Sequence, residues 1–109
     1  MYLGALSSIF IRKPLKEAAE RMHELGLQFI EIGAGGYFPK THCDPERLLR
    51  DKAALDVFQQ TLADAKLGIS AFALHGEPLH PDPEIACAYD RDFRAACDFA
   101  AKIGVTRLT

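Results

Sequence analysis

A histidine and a carboxylate separated by one glycine, His75-Gly76-Glu77, follow the apolar run Phe72-Ala73-Leu74, and His80 comes shortly after. An imidazole can hold or move a proton near neutral pH, and a carboxylate can accept hydrogen bonds from hydroxyls. His75 falls at the C-terminal end of an expected strand, where Gly76 leaves its ring open to a ligand. Glu77 and His80 belong to the following loop, where polar groups can bind a small polyol. The alternatives are plainer. Loops are polar for solvation alone, His80-Pro81-Asp82 also leads into a helix cap, and a histidine buried at a strand end would need only a loop carbonyl.

His42 and Cys43 occupy the matching loop after an earlier strand, so the two loops open onto the same mouth. His42, Cys43, His75 and His80 together invite a zinc reading, but their spacing matches no standard ligand motif, and the three cysteines include no CxxC pair. Glu31 alternates with Phe29 on one face of the earlier strand, while Ile30 and Ile32 take the other. An ionised carboxylate there needs a partner, and structural pairing or substrate contact would each supply one. Gly33-Ala34-Gly35-Gly36 lacks the Lys-Ser/Thr of a phosphate loop and does not match GxGxxG, so it reads as a flexible turn. Cys87 and Cys97 lie on a helical stretch with no base to activate them.

The elements that must position these residues are written in their ends. Leu25-Gly26-Leu27, Leu67-Gly68-Ile69 and Ile103-Gly104-Val105 each close a helical pattern and open a strand-like run, at intervals of about 40 residues. Glycine suits the left-handed position past a helix C-terminus. Pro14, Asp44-Pro45-Glu46 and Asp82-Pro83-Glu84 mark helix starts, and Asp51 caps a fresh helix after a break near Arg50. Apolar stripes run through Leu15, Ala18, Ala19, Met22 and Leu25, through Leu55, Phe58, Leu62 and Ala65, and through Ile85, Tyr89, Phe93, Ala96, Ala100 and Ile103. Strands are expected at Tyr2 to about Phe10, Phe29 to Ile32, Ser70 to Leu74, and from Thr106 to Leu108. Strands separated by helices of this length run parallel, in a doubly wound sheet or in part of a barrel.

The chain has 109 residues, 49% of them hydrophobic, and a formal charge of -2. That allows one modest core and falls short of the roughly 250 residues of a complete barrel. Lys and Arg are not concentrated as a nucleic-acid partner would require. No apolar run approaches the roughly 20 residues that span a bilayer, and no secretory pattern opens the chain, so a cytoplasmic protein without membrane partners is expected.

The segment Phe72-Ala73-Leu74-His75-Gly76-Glu77-Pro78-Leu79-His80-Pro81-Asp82-Pro83-Glu84-Ile85-Ala86 resembles the third strand and following loop of one branch of the sugar phosphate isomerase/epimerase family. Ile30-Glu31-Ile32-Gly33-Ala34-Gly35-Gly36-Tyr37, with His42-Cys43 after it, resembles the second strand and its loop, and the element spacing agrees along the whole chain. The resemblance implies that residues 1–109 form the N-terminal half of a xylose isomerase-like TIM barrel, β1-α1-β2-α2-β3-α3-β4 in sequential order. It further implies an isomerase or epimerase that moves a proton next to a carbonyl. In that family a divalent metal (Mn, Mg, Co or Zn) is held by two Glu, an Asp and a His of the second half, and those carboxylates serve as acid and base.

On that reading the chain supplies one wall of the sugar pocket, from Phe10, Glu31, His42, His75, Glu77 and His80, and no catalytic residue. The fragment alone is expected to bind no metal tightly and to lack activity. Its expected partners are a sugar in the parent enzyme, and either another copy or the C-terminal half to cover its open sheet. Two rivals stand beside it. One is a non-catalytic, self-associating module; the other is an apurinic endonuclease-like barrel, which would show a basic stripe at the mouth.

Overall fold

The computed structural model describes all 109 residues as a three-stranded parallel sheet and four α-helices. The strands are β1 (Gly4–Leu6), β2 (Phe29–Gly33) and β3 (Gly68–Ala73). The helices are α1 (Leu15–Glu24), α2 (Pro45–Arg50), α3 (Lys52–Asp64) and α4 (Pro83–Ile103). The strand order is sequential, β1-β2-β3, and Leu108 adds a parallel bridge to Phe72 on the far side of β3. Such an order is compatible with part of a β/α barrel and differs from the 2-1-3 order of a doubly wound sheet.

Local chemistry sets the helix starts. Asp44 accepts a hydrogen bond from the Arg47 N–H and Asp51 from the Ala54 N–H, and between them the chain breaks after Arg50 as its sequence requires. Asp82 caps α4 in the same way through the Glu84 N–H, with Pro83 in the first turn. Pro14 is one residue earlier than expected, at the N-cap of α1.

The core lies between the sheet and the helices. Ile30, Ile32 and Phe72 point into it, where the Phe99 ring of α4 packs 5.5 Å from Phe72 and edge-on to Phe58. Burying each such side chain contributes about 1.5–3 kcal/mol. The opposite sheet face carries Gly4, Leu6, Phe29 and Glu31 along an open cavity of about 620 Å³.

Four expectations need correction. The first strand does not reach Phe10: after Leu6 the chain turns through a 3₁₀ segment, Ser7–Phe10, so that the buried Ser7 hydroxyl accepts the Gly33 N–H. Gly68 is no helix stop; Lys66 takes the left-handed position at φ 55°, and Gly68 opens β3 where a Cβ would lie 2.7 Å from the Phe29 ring. The last apolar stripe is displaced, with Ile85 and Phe93 exposed and Phe99 buried. At about 1.5 Å per residue the 21-residue α4 is longer than the strands beside it, so only its C-terminal half lies over the core. Of the fourth strand only Leu108 bridges, with Arg107 and Thr109 exchanging backbone hydrogen bonds with Phe72 and Leu74.

Candidate functional site

Parallel strands deliver their following loops to one end of the sheet, and here those loops are stitched together. The Ala34 N–H donates to the Ala73 carbonyl and the Tyr37 N–H to the His75 carbonyl. Gly36 sits at φ 67° against that same His75 carbonyl, which a Cβ would approach to 2.3 Å. From α4 the half-buried Asp92 accepts the Gly36 N–H at 3.0 Å and pairs with Lys40. The Gly33-Ala34-Gly35-Gly36 segment is therefore a pinned turn whose glycines allow close approach, rather than the free one its composition suggested.

This stitching leaves a cavity of about 550 Å³ at the C-terminal end of β3, lined by Tyr37, His75, Glu77, Phe93, Leu108 and Thr109 among others. His75 and Glu77 thus share one site, as their spacing required. Both are exposed, and the His75 ring packs 5.5 Å from Phe38. Tyr37 stands edge-on to Tyr89. The phenol of Tyr37 is pushed up to about 12, chiefly by the neighbouring Glu77 carboxylate, with desolvation and Tyr89 adding to it. The phenol has one proton, which it gives either to the Glu77 carboxylate or to a ligand oxygen, while its own oxygen and the carboxylate can accept from the hydroxyl groups of a polyol.

Glu31 connects this cavity to the open sheet face. Its side chain lines the larger cavity, and its Oε1 accepts a 2.7 Å hydrogen bond from Thr109, which lines the smaller one. The partner that the sequence demanded for this carboxylate is thus the hydroxyl of Thr109, one residue past the Leu108 bridge.

The other three residues expected at the mouth are engaged elsewhere. Phe10 packs against the core on the helix side. His80 Nδ1 accepts the Asp82 N–H at 3.0 Å, which fixes it as part of the turn into α4. His42 is buried in a groove lined by α1 and α3, with its Nε2 2.7 Å from the Lys13 carbonyl, and shares no lining residue with the cavity of His75. Its Nδ1 is buried with no hydrogen-bond partner in the chain, an arrangement that costs about 1–3 kcal/mol. Beside it, burial pushes the Cys43 thiol well above its usual range, so it is protonated and unreactive at neutral pH.

No group of three or more His, Cys, Asp or Glu side chains is placed to hold a metal ion. No helix is long and apolar enough to cross a membrane.

Tyr37, Asp92 and Thr109 also belong to the site, beyond the residues expected there. Asp92 had a signal: spacing from Tyr89 and Ala96 places its carboxylate on the inner side of an amphipathic helix, where an acid needs a reason. Tyr37 and Thr109 had none, because their neighbours come from distant parts of the chain. No protein-family model matches this sequence, and no curated protein matches it either.

Proposed function

We propose that this chain forms the N-terminal half of a xylose isomerase-like TIM barrel of the sugar phosphate isomerase/epimerase family. In it, the chain supplies substrate-binding residues rather than the metal centre. The observation that carries the reading is the sequential parallel sheet, whose C-terminal loops gather His75, Glu77 and Tyr37 around one open cavity while Glu31 reaches it through Thr109.

The chemistry of that cavity favours a small polyhydroxylated ligand. Glu77 accepts from vicinal hydroxyls, the Tyr37 phenol turns its one proton from Glu77 to a ligand oxygen, and the exposed rings of Tyr37 and Phe93 offer apolar faces to the carbon chain of a sugar. His75 orients a hydroxyl or carbonyl oxygen at the strand end. The parent reaction, isomerisation or epimerisation by proton transfer next to a carbonyl, would draw its divalent metal and its acid and base from the second half. No step of it is assigned to residues 1–109. The open sheet face, with Tyr2 and Leu3 exposed nearby, is where the second half or another copy of the chain would pack. The carboxylates Glu31 and Glu77 at the mouth favour a sugar over a nucleic-acid backbone.

Titration of the 109-residue chain with D-xylose by calorimetry tests the reading. Weak, saturable binding that drops several-fold in Glu77→Gln is expected, with no aldose–ketose interconversion when Mn²⁺ or Mg²⁺ is added. Absence of binding would remove the substrate assignment, and metal-dependent turnover by the chain alone would remove the division of labour between the halves.

A further inference from the structure

The groove that holds His42 is separate from the cavity at the strand ends. It lies between α1 and α3, encloses about 510 Å³, and is floored by Leu15, Cys43, Leu48, Ala54 and Phe58. That volume falls within the range of small-molecule sites. Its rim carries both signs of charge, Lys16, Lys40 and Arg47 against Asp44 and Asp51, and Lys40 is already paired with Asp92, so no strong field of one sign selects an ion. Val57, an exposed large apolar side chain, extends the apolar floor outward.

The tautomer of His42 follows from its one hydrogen bond. A carbonyl oxygen only accepts, so Nε2, 2.7 Å from the Lys13 carbonyl, carries the proton. Nδ1 of the neutral ring is then a lone-pair acceptor, and it is buried with no donor from the chain. An apolar groove containing a single unsatisfied acceptor is matched by a molecule with an apolar body and a single donor. We propose that this groove is a binding site for a small, neutral, largely apolar hydroxyl compound, whose O–H donates to His42 Nδ1 while its body rests on Leu15, Val57 and Phe58. The thiol of Cys43 in the floor is buried and takes no part in covalent chemistry. Because Nδ1 has almost no exposed surface before binding, the groove wall beside it must shift to admit the hydroxyl.

Phenol and anisole separate this proposal from plain hydrophobic binding, since they share a ring and only phenol can donate. Side-chain ¹⁵N spectra of the wild-type chain would follow His42 directly. Phenol is expected to move the Nδ1 resonance saturably and to bind roughly tenfold more tightly than anisole. In His42→Phe, shown to be folded by circular dichroism, that preference is expected to vanish. Equal binding of the two probes, phenol bound without an Nδ1 shift, or no binding of either would each overturn the proposal. The wild-type comparison decides the matter even if the variant fails to fold.

Discussion

Two glycines with similar backbone angles make opposite demands. Gly26 and Gly36 both have positive φ, but a Cβ on Gly26 would meet nothing, whereas one on Gly36 would press into the His75 carbonyl. Gly26→Ala is expected to cost about 1–2 kcal/mol from the left-handed strain alone. Gly36→Ala is expected to cost about 3 kcal/mol or more and to separate the loops that form the candidate site. Urea midpoints of the two variants check the difference. Tyr37 gives a second residue-scale expectation. Its phenol is held up to about 12 in the folded chain against an ordinary value of 10.0, so the folded state keeps a proton that the unfolded chain loses first. Stability from this group is complete below pH 10 and falls as pH rises from about 10 to about 12. Difference absorbance at alkaline pH between wild type and Tyr37→Phe should place the ionisation near 12, and Glu77→Gln should lower it towards 10.0. His75 and Glu77 could be paired from sequence because they are near neighbours behind one strand. Their meeting with Tyr37 could not, because it depends on two loops brought together by Asp92.

At the level of elements, the readable features were those encoded within a few residues. The caps at Asp44, Asp51 and Asp82, the break after Arg50 and the stop at Gly104 are all contained in short segments, and each formed where its local chemistry placed it. Leu6 to Phe10 has strand-like composition, yet the chain turns there with a hydrogen bond from the Gly33 N–H to the Ser7 hydroxyl, a contact between residues far apart in sequence. At the end of α3 the composition points to Gly68, whereas the left-handed position falls two residues earlier, at Lys66. Two expectations follow. Lys66→Gly should stabilise the fold by about 0.5–1 kcal/mol, since it removes left-handed strain at a modest entropic cost. Asp51→Ala should destabilise it by about 1 kcal/mol through loss of the α3 cap. Thermal unfolding of both variants, read against wild type, checks the opposite signs.

The whole molecule joins a covered sheet face to an uncovered one. Helices bury Ile30, Ile32 and Phe72, whereas Phe29 and Glu31 face an open cavity. Parallel sheets in α/β proteins are covered on both faces, and under the proposed function a second half or another copy would cover the open one. Parallel topology could be inferred from helix spacing alone. The sequential strand order could not, since the same local pattern serves barrels and doubly wound sheets alike. The measurement closest to the central claim is a backbone and side-chain chemical-shift map of the 109-residue chain titrated with D-xylose. The account predicts perturbations concentrated at Tyr37, His75, Glu77 and Thr109, at the C-terminal ends of the strands. Shifts confined to the His42 groove or to the N-terminal ends of the strands, or none at all, would contradict it.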